Sequence, residues 1–382
     1  MEEKNYIALG LMSGTSMDGV DASIITSIDG EFYDVKLDKY FEYSQDLSLK
    51  IVDLRNKIKV FKDLNRYSDE LKSIEKEITI FHAKAVNDIL QIVKKKKLPN
   101  PKIIGFHGQT IFHSPENKTS VQLGDGRLLS QLTKKRVIYN FRQNDLNNDG
   151  QGAPLTPIFH KSLKEKILKK NDEAMIINIG GISNATFLKN DVMFAADIGP
   201  GNCLIDEWIR INSNNKFDKE GSIARSGKIN ELIFNQALDN FQISDKNSLD
   251  IKDFDVSFVR GLSLEDGAST LTNFTAEIVC EGLKNFLQSN RYIFDDTFLN
   301  LIICGGGRKN KYLMELLEKK ISKFINFKSF KSIDDYDVDG DFIESQAFAF
   351  LAVRSNLKLP ISFPETTGCK KACTGGVMVK NF

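Results

Sequence analysis

The sequence predicts an α/β protein of two domains, and three observations carry that reading. The chain has 382 residues, more than one hydrophobic core ordinarily serves. Short apolar runs of strand type alternate with longer runs whose apolar residues recur every three or four positions. One pattern, strand–Gly/Ser turn–strand–strand, stands near the start of each half. Residue identity between the copies is slight, so the pattern repeats rather than the sequence.

Composition narrows the class. Lys+Arg 52 against Asp+Glu 51 gives a net charge of +1, so no basic excess points to nucleic acid or an anionic membrane surface. Hydrophobic content of 41% supports globular cores. No apolar run approaches transmembrane length, and Met1-E-E-K-Asn5 lacks the charged-then-apolar build of a secretion signal. Cys203, Cys280, Cys304, Cys369 and Cys373 are scattered and odd in number, which fits reduced thiols better than a disulfide framework. Cys369-K-K-A-Cys373 hints at metal, but no His or second Cys pair lies nearby in sequence. The expectation is a soluble cytoplasmic protein.

In order, the first strand (Tyr6 to Leu11) runs into Gly10-L-M-S-G-T-S-M-D-G-V-Asp21, and a second (Val20 to Thr26) leads out. Such a hairpin turn exposes backbone N–H groups and small hydroxyls. Glycines let the main chain approach a bulky anion, and clustered N–H groups form a phosphate-binding concavity. Asp18 adds a carboxylate suited to a hydrated cation. Phe32 to Leu37 completes a meander. Residues 45 to 97 read as helix, with Leu71, Ile74, Ile78, Phe81, Ala85, Ile89 and Ile92 on one face. Lys94 to Lys97 offset the dipole at its end, and His82 reads as structural.

Lys102 to Phe106 is a short strand followed by Gly105-F-H-G-Q-Thr110. Polar residues just past a strand's carboxyl end are where open α/β sheets present ligand-binding groups, which singles out His107 and Gln109. Val121 to Gly126 and Val137 to Asp145 are further strand-to-loop segments, bringing Arg142 and Asp145 to a strand end. Asn147-N-D-G-Q-G-A-Pro154 is a connector, placing the division at residues 1–145 plus 358–382 against 146–357.

The second half restarts with a strand (Ala174 to Ile179), a turn (Gly180-G-I-S-Asn184), a return strand (Ala185 to Leu188) and a third (Val192 to Ala196) ending in Asp197-I-G-P-G-Asn202. A helix begins over Leu204 to Arg210. Residues 212 to 260 are polar, with loops at Phe217–Ser222 and Lys246–Asp250, and Leu264 to Gln288 is a long helix. The strand Leu301 to Cys304 runs into Gly305-G-G-Arg308, where a flat group can lie against the backbone, and a helix follows over Tyr312 to Lys319. Glu344 opens a last helix, Ser345 to Ser355, as a dipole partner or a ligand contact. The tail is turn-rich.

Phosphate-binding turns in both halves suit a nucleotide held between two related domains. The absence of G-x-x-x-x-G-K-[S/T] excludes a P-loop. No G-x-G-x-x-G follows the first strand, against a dinucleotide dehydrogenase. No His/Cys set supports zinc, and no G-x-S-x-G supports a serine hydrolase. Phosphoryl transfer remains, where catalysis is mostly positioning and charge stabilisation with a carboxylate to take a proton. Asp197, at a strand end before a Gly-Pro-Gly turn, is best placed. Asp18, Asp145 and Glu344 are weaker choices.

Taken in order, Gly10–Asp21, Gly105–Thr110, Gly150-Q-G-A-P-Leu155, Asn178-I-G-G-I-S-Asn184, Asp197–Asn202 and Cys304-G-G-Gly307 resemble the anhydro-N-acetylmuramic acid kinases over nearly the whole chain. The resemblance implies an actin-like (ribonuclease H-like) ATPase fold, with a nucleotide and sugar cleft between two domains. It implies ATP-dependent conversion of 1,6-anhydro-N-acetylmuramate and water to N-acetylmuramate 6-phosphate in cell-wall recycling, and a homodimer. ATP is accompanied by Mg²⁺, which keeps several waters and needs no dedicated ligand motif. Asp197 matches the general base. Gly14, Thr15, Ser16, Met17, Asp18, Gly19, Val20 and Asp21 match the ATP-phosphate segment. Gly180, Gly181, Ser183 and Asn184 would face the phosphates from the other domain, and Gly305, Gly306 and Gly307 would flank the adenosine. His107, Gln109, Arg142, Asp145 and Glu344 are assigned to sugar contacts or to holding them, with Arg142 suited to the lactyl carboxylate. Gln143 and Asn144 replace a basic run that many members carry, and Lys246–Asp250 replaces a K-S-T-G-R-E-like loop. Both departures bear on sugar specificity rather than on catalysis. A kinase for another anhydrosugar such as levoglucosan, a non-enzymatic actin-like nucleotide switch and a phosphatase of the same fold remain open alternatives.

Overall fold

The computed structural model describes residues 4–241, 249, 253–290 and 299–382. The Lys246–Asp250 loop lies outside the described residues except for Leu249. Two compact units are formed, Met1–Lys166 with Phe342–Phe382, and Ile167–Asp341.

The first unit carries β1 (Asn5–Ser13), β2 (Gly19–Ile28), β3 (Phe32–Glu42), β4 (Ile103–Ser114), β5 (Thr119–Leu123) and β6 (Arg136–Tyr139). The second carries β7 (Ala174–Ile179), β8 (Ile182–Lys189), β9 (Val192–Pro200), β10 (Leu299–Cys304) and β11 (Phe327–Ser332), and β12 (Val377–Val379) returns to the first. The sheet orders are β12-β6-β4-β1-β2-β3, with β5 beside β4, and β11-β10-β7-β8-β9. Each sheet is an antiparallel three-strand meander whose first strand pairs in parallel with a fourth, itself parallel to a fifth. The repeat read from the sequence is therefore a repeat of topology, and this duplicated order is the actin-like, ribonuclease H-like one.

Side-chain alternation explains how the first sheet is covered. Leu9 and Leu11 on β1, with Ile104 and Phe106 beside them on β4, share a core with Ile74, Ile78, Val86 and Ile89 of the helix Ser68–Lys96. The residues between them, Gly10 and Gly105, are paired in register and face the helix Ile343–Asn356. That helix is apolar around most of its circumference because it is buried almost throughout. Its placement, and that of the helix Pro157–Ile167, moves the division proposed from the sequence: residues 146–166 and 342–357 belong to the first unit. Phe159 packs on Tyr33 and Phe350, which ties both helices to the first sheet.

Three other sequence readings change. The long helix over 45–97 is three: Gln45–Lys57, Phe61–Arg66 and Ser68–Lys96. The first break follows from Asp63, whose carboxylate accepts the N–H groups of Lys59 and Val60 and so starts a new helix. The polar stretch 212–260 contains the helices Ser222–Ser226 and Glu231–Asn240. Finally, β4 does not stop at Phe106 but continues to Ser114, because β5 pairs with its second half. Gly108, at φ +77, provides the kink that lets one strand serve two partners. Among the described residues, no helix is long and apolar enough to cross a membrane.

Candidate functional site

In the first unit the predicted groups gather at the carboxyl ends of β1 and β6 and along the middle of β4. The turn after β1 is built from inside: Gln109 donates through Nε2 to the Gly14 carbonyl at 3.0 Å, and Ser48 donates to the Met17 carbonyl at 2.8 Å. Ser16 donates to Asp18 at 2.6 Å. Thr15 and Ser16 are exposed, and Gly14 and Asp18 half-buried. In the rest of the predicted segment, Met17 and Val20 are core side chains, and Gly19, Val20 and Asp21 pair with β3.

Behind the turn, Ser13 bonds Tyr43 at 2.7 Å and His82 at 3.3 Å, and His82 Nδ1 donates to the Ile78 carbonyl. His82 is structural, as its lack of a sequence partner suggested.

His107 and Gln109 lie inside β4 rather than beyond it, and both are buried. His107 Nδ1 donates to the Gly108 carbonyl, which leaves Nε2 to accept from Arg142 Nη2 at 3.0 Å. Arg142 Nη1 donates to the Gly152 carbonyl at 2.8 Å, so the guanidinium is steered from two sides. Asp145 is fully buried; it accepts from Gly152 N–H at 2.6 Å and from the Thr367 hydroxyl at 2.5 Å. His107, Gln109 and Asp145 thus have the geometry of supports, while Arg142 and Glu344 keep partial exposure. Burial raises the Glu344 carboxyl above its ordinary range, and the Arg142 charge pulls it back.

Asp145, Cys369 and Cys373 bring their ligand-type atoms within 4.8 Å of one another. Both carboxylate oxygens already accept hydrogen bonds, and burial pushes Cys373 up to about 12 and Cys369 upward. The cluster is a hydrogen-bonded knot fastening the C-terminal tail to the 145–152 loop.

Burial holds His82 at about 4 and His160 at about 3; burial and then Arg142 hold His107 at about 3. An unfolded histidine titrates near 6.5, so below that pH the unfolded chain binds protons that the folded chain refuses. Each group's contribution is full above about pH 6.5 and shrinks by up to about 1.4 kcal/mol per pH unit as the solution is acidified. An NMR titration from pH 7 to pH 5 should leave these three imidazoles unprotonated. A ring shift with a midpoint near 6 would contradict the burial.

In the second unit, β7, β9 and β10 end at one edge of the sheet. Gly201 N–H and Asn202 N–H donate to the Gly181 and Gly180 carbonyls at 2.9 and 2.7 Å, and the Ser183 hydroxyl donates to the Pro200 carbonyl at 2.9 Å. The Gly180–Gly181 turn and the Asp197–Asn202 segment are therefore one assembly, in which the Ser183 side chain is spent internally. Asp197 stands beside the β8–β9 register shift, a bulge that re-aims side chains. Its Oδ2 accepts from Leu249 N–H at 2.7 Å. Asn184 is its cross-strand partner.

Gly305 and Gly307 sit against Asn178, Ile179 and Asn202, where a Cβ would collide, and Gly306 is exposed. Arg308, missed from the sequence, fixes this turn. It donates to the Gly305 carbonyl at 3.0 Å while paired with Asp334 at 2.6 Å and Asp341 at 2.8 Å. Asn178 and Asn202, both within quoted motifs, border Gly305 and Gly307. Asp206, one turn past Asn202, is pushed up to about 7 by burial, against Arg210 and with Asp218.

A family model described as "Anhydro-N-acetylmuramic acid kinase" matches residues 5–381. The anhydro-N-acetylmuramic acid kinase of Pelagibacter ubique (strain HTCC1062) is 52% identical, covering 100% of this chain and 100% of that protein. The protein of the same name from Brucella canis is 35% identical, covering 98% of each. That of Zymomonas mobilis is 36% identical, covering 97% of this chain and 98% of that protein.

Proposed function

The chain belongs to the anhydro-N-acetylmuramic acid kinase family, and from that premise we propose its reaction. It transfers the γ-phosphoryl group of ATP to O6 of 1,6-anhydro-N-acetylmuramate while water opens the anhydro bridge, giving N-acetylmuramate 6-phosphate and ADP. The observation that carries the chemistry is Asp197: a half-buried carboxylate within β9 beside its bulge, pinned through one oxygen by an N–H, in the strand whose end is bonded to the Gly180–Gly181 turn.

Asp197 takes a proton from water as the water oxygen bonds to the anomeric carbon. The C1–O6 bond breaks, and its electron pair passes to O6, which accepts the phosphoryl group. Arg142, steered by His107 and Gly152, holds the lactyl carboxylate through paired donors. Glu344 is a second polar contact for the sugar. Thr15, Ser16 and the main chain at Gly14 face the phosphates, and Gly305–Gly307 accept the flat adenosine.

Mg²⁺ fits Asp18. That carboxylate sits in an oxygen-rich turn of hydroxyls, the hard donor type this ion takes; when bound, the ion offsets phosphate charge. The absence of membrane-length helices among the described residues and five buried free thiols support a cytoplasmic setting.

The test is a mass-spectrometric assay with ATP and 1,6-anhydro-N-acetylmuramate in oxygen-18 water, with unlabelled N-acetylmuramate 6-phosphate as the exchange control. Singly labelled sugar phosphate in step with ADP is expected. ADP without sugar phosphate, or turnover only with levoglucosan, would overturn the assignment.

A further inference from the structure

We infer that Asn184 is a positioning residue for the attacking water, an inference that rests on Asp197 being the base. Asn184 pairs in register with Asp197 across β8–β9 and with Asn178 across β7–β8. Directly opposed residues share a face with Cβ atoms about 5 Å apart, so Asn178, Asn184 and Asp197 form a polar row along the edge where the glycine turns lie. The Asn184 side-chain carbonyl is buried and has no hydrogen-bond partner among the described residues. Its neighbours Ser183 and Ala185 are buried on the other face.

A buried, unsatisfied carbonyl needs a donor. Phosphate oxygens only accept at neutral pH, so this atom repels a phosphate rather than binding it. Water supplies the missing donor. Beside Asp197, a water molecule has two O–H bonds to direct. One goes to the carboxylate that will take the proton. The other goes to the Asn184 carbonyl, which orients the molecule and is too weak a base to compete. With both hydrogens committed, a lone pair is left to form the bond to the anomeric carbon. The C1–O6 electron pair then leaves to O6, O6 takes the γ-phosphoryl group with release of ADP, and the proton stays on Asp197 until solvent removes it. Leu249 N–H, by fixing Asp197 Oδ2, keeps the carboxylate oriented for that transfer.

Methanol discriminates this role from a structural one, because it has one O–H for Asp197 and a methyl group in place of the second. The experiment compares wild type, Asn184→Ala and Asn184→Ser in water–methanol mixtures, measuring N-acetylmuramate 6-phosphate and its methyl glycoside. In Asn184→Ala, hydrolysis should fall roughly 10²-fold, the scale on which misplaced reactants lose rate, with the KM for ATP nearly unchanged. The methyl glycoside share should rise at least ten-fold over wild type. Asn184→Ser, which restores a small acceptor, should recover part of the hydrolysis and lower the methanol share again. Equal loss of both products in both variants would overturn the role, as would a loss confined to the KM for ATP. Misfolding of the alanine variant shows in its thermal unfolding, and the serine variant then carries the comparison by the same product ratio. Retention of sugar phosphate by Asp197→Asn would instead remove the base assignment beneath the inference.

Discussion

Asp197→Asn should lower kcat by about 10²–10⁴-fold, the usual contribution of a positioned general base, while the KM values for ATP and sugar stay close to wild type. The substitution keeps the shape of the side chain and an oxygen able to accept from Leu249 N–H. What it removes is the basicity needed once water bonds to carbon. Because that interaction is made in the transition state and not in the ground state, kcat and kcat/KM should fall together. Steady-state ADP release with and without the sugar, alongside a thermal unfolding curve, separates the possibilities. A raised KM with unchanged kcat would make Asp197 a binding group, and a lowered unfolding temperature would make it structural.

Much of this arrangement was legible in the sequence, and the limits of that legibility have physical causes. The duplicated meander could be read because strand periodicity and glycine-rich turns are local signals. Asp197 was singled out as following a strand that ends at Ala196, whereas β9 runs on to Pro200 and places it inside the strand, beside a bulge. His107 and Gln109 were found, but as residues beyond a strand; only the pairing of β5 with the far half of β4 places them inside it. Burial then makes them supports for Arg142 and the Gly14 turn rather than exposed donors. Arg308 was passed over because its ion pairs reach Asp334 and Asp341, more than twenty residues away, and no spacing rule announces them. The carboxyl of Asp206 shifts for the same kind of reason, since burial is a property of the fold and not of the residue. The division of the chain slipped because the apolar helix Ile343–Asn356 belongs with strands more than two hundred residues earlier.

That helix sets up the second large effect: Gly10→Ala should destabilise the protein and weaken sugar binding together. Gly10 and Gly105 form a flat saddle in the first sheet, and a Cβ on Gly10 would overlap the Ser345 carbonyl and approach Ala349 N to 2.5 Å. Both obstacles are backbone of a buried helix, so no flexible side chain can move aside. The helix is held at its far end, where Arg354 donates to the Gly30 and Pro360 carbonyls at 2.6 and 2.9 Å. Near its start, Ser345 bonds Ser23 at 2.6 Å and Gln346 donates to Asp38 at 3.2 Å. The collision falls on the Ser345 carbonyl itself, one residue from Glu344. Overpacking of this kind costs about 1–3 kcal/mol or more, and a domain of roughly 150–250 residues loses about 2–4 °C in Tm per kcal/mol. Calorimetry should record that fall, and the KM for the anhydrosugar should rise through the shift of Glu344. Gly14→Ala is the matched control: its Cβ would find only Ser16 Oγ, at 4.0 Å, so the unfolding temperature should hold even if ATP binding suffers. If Gly10→Ala melts with wild type, the saddle has room that the geometry denies, and Glu344 loses its argued dependence on the glycine beneath its helix.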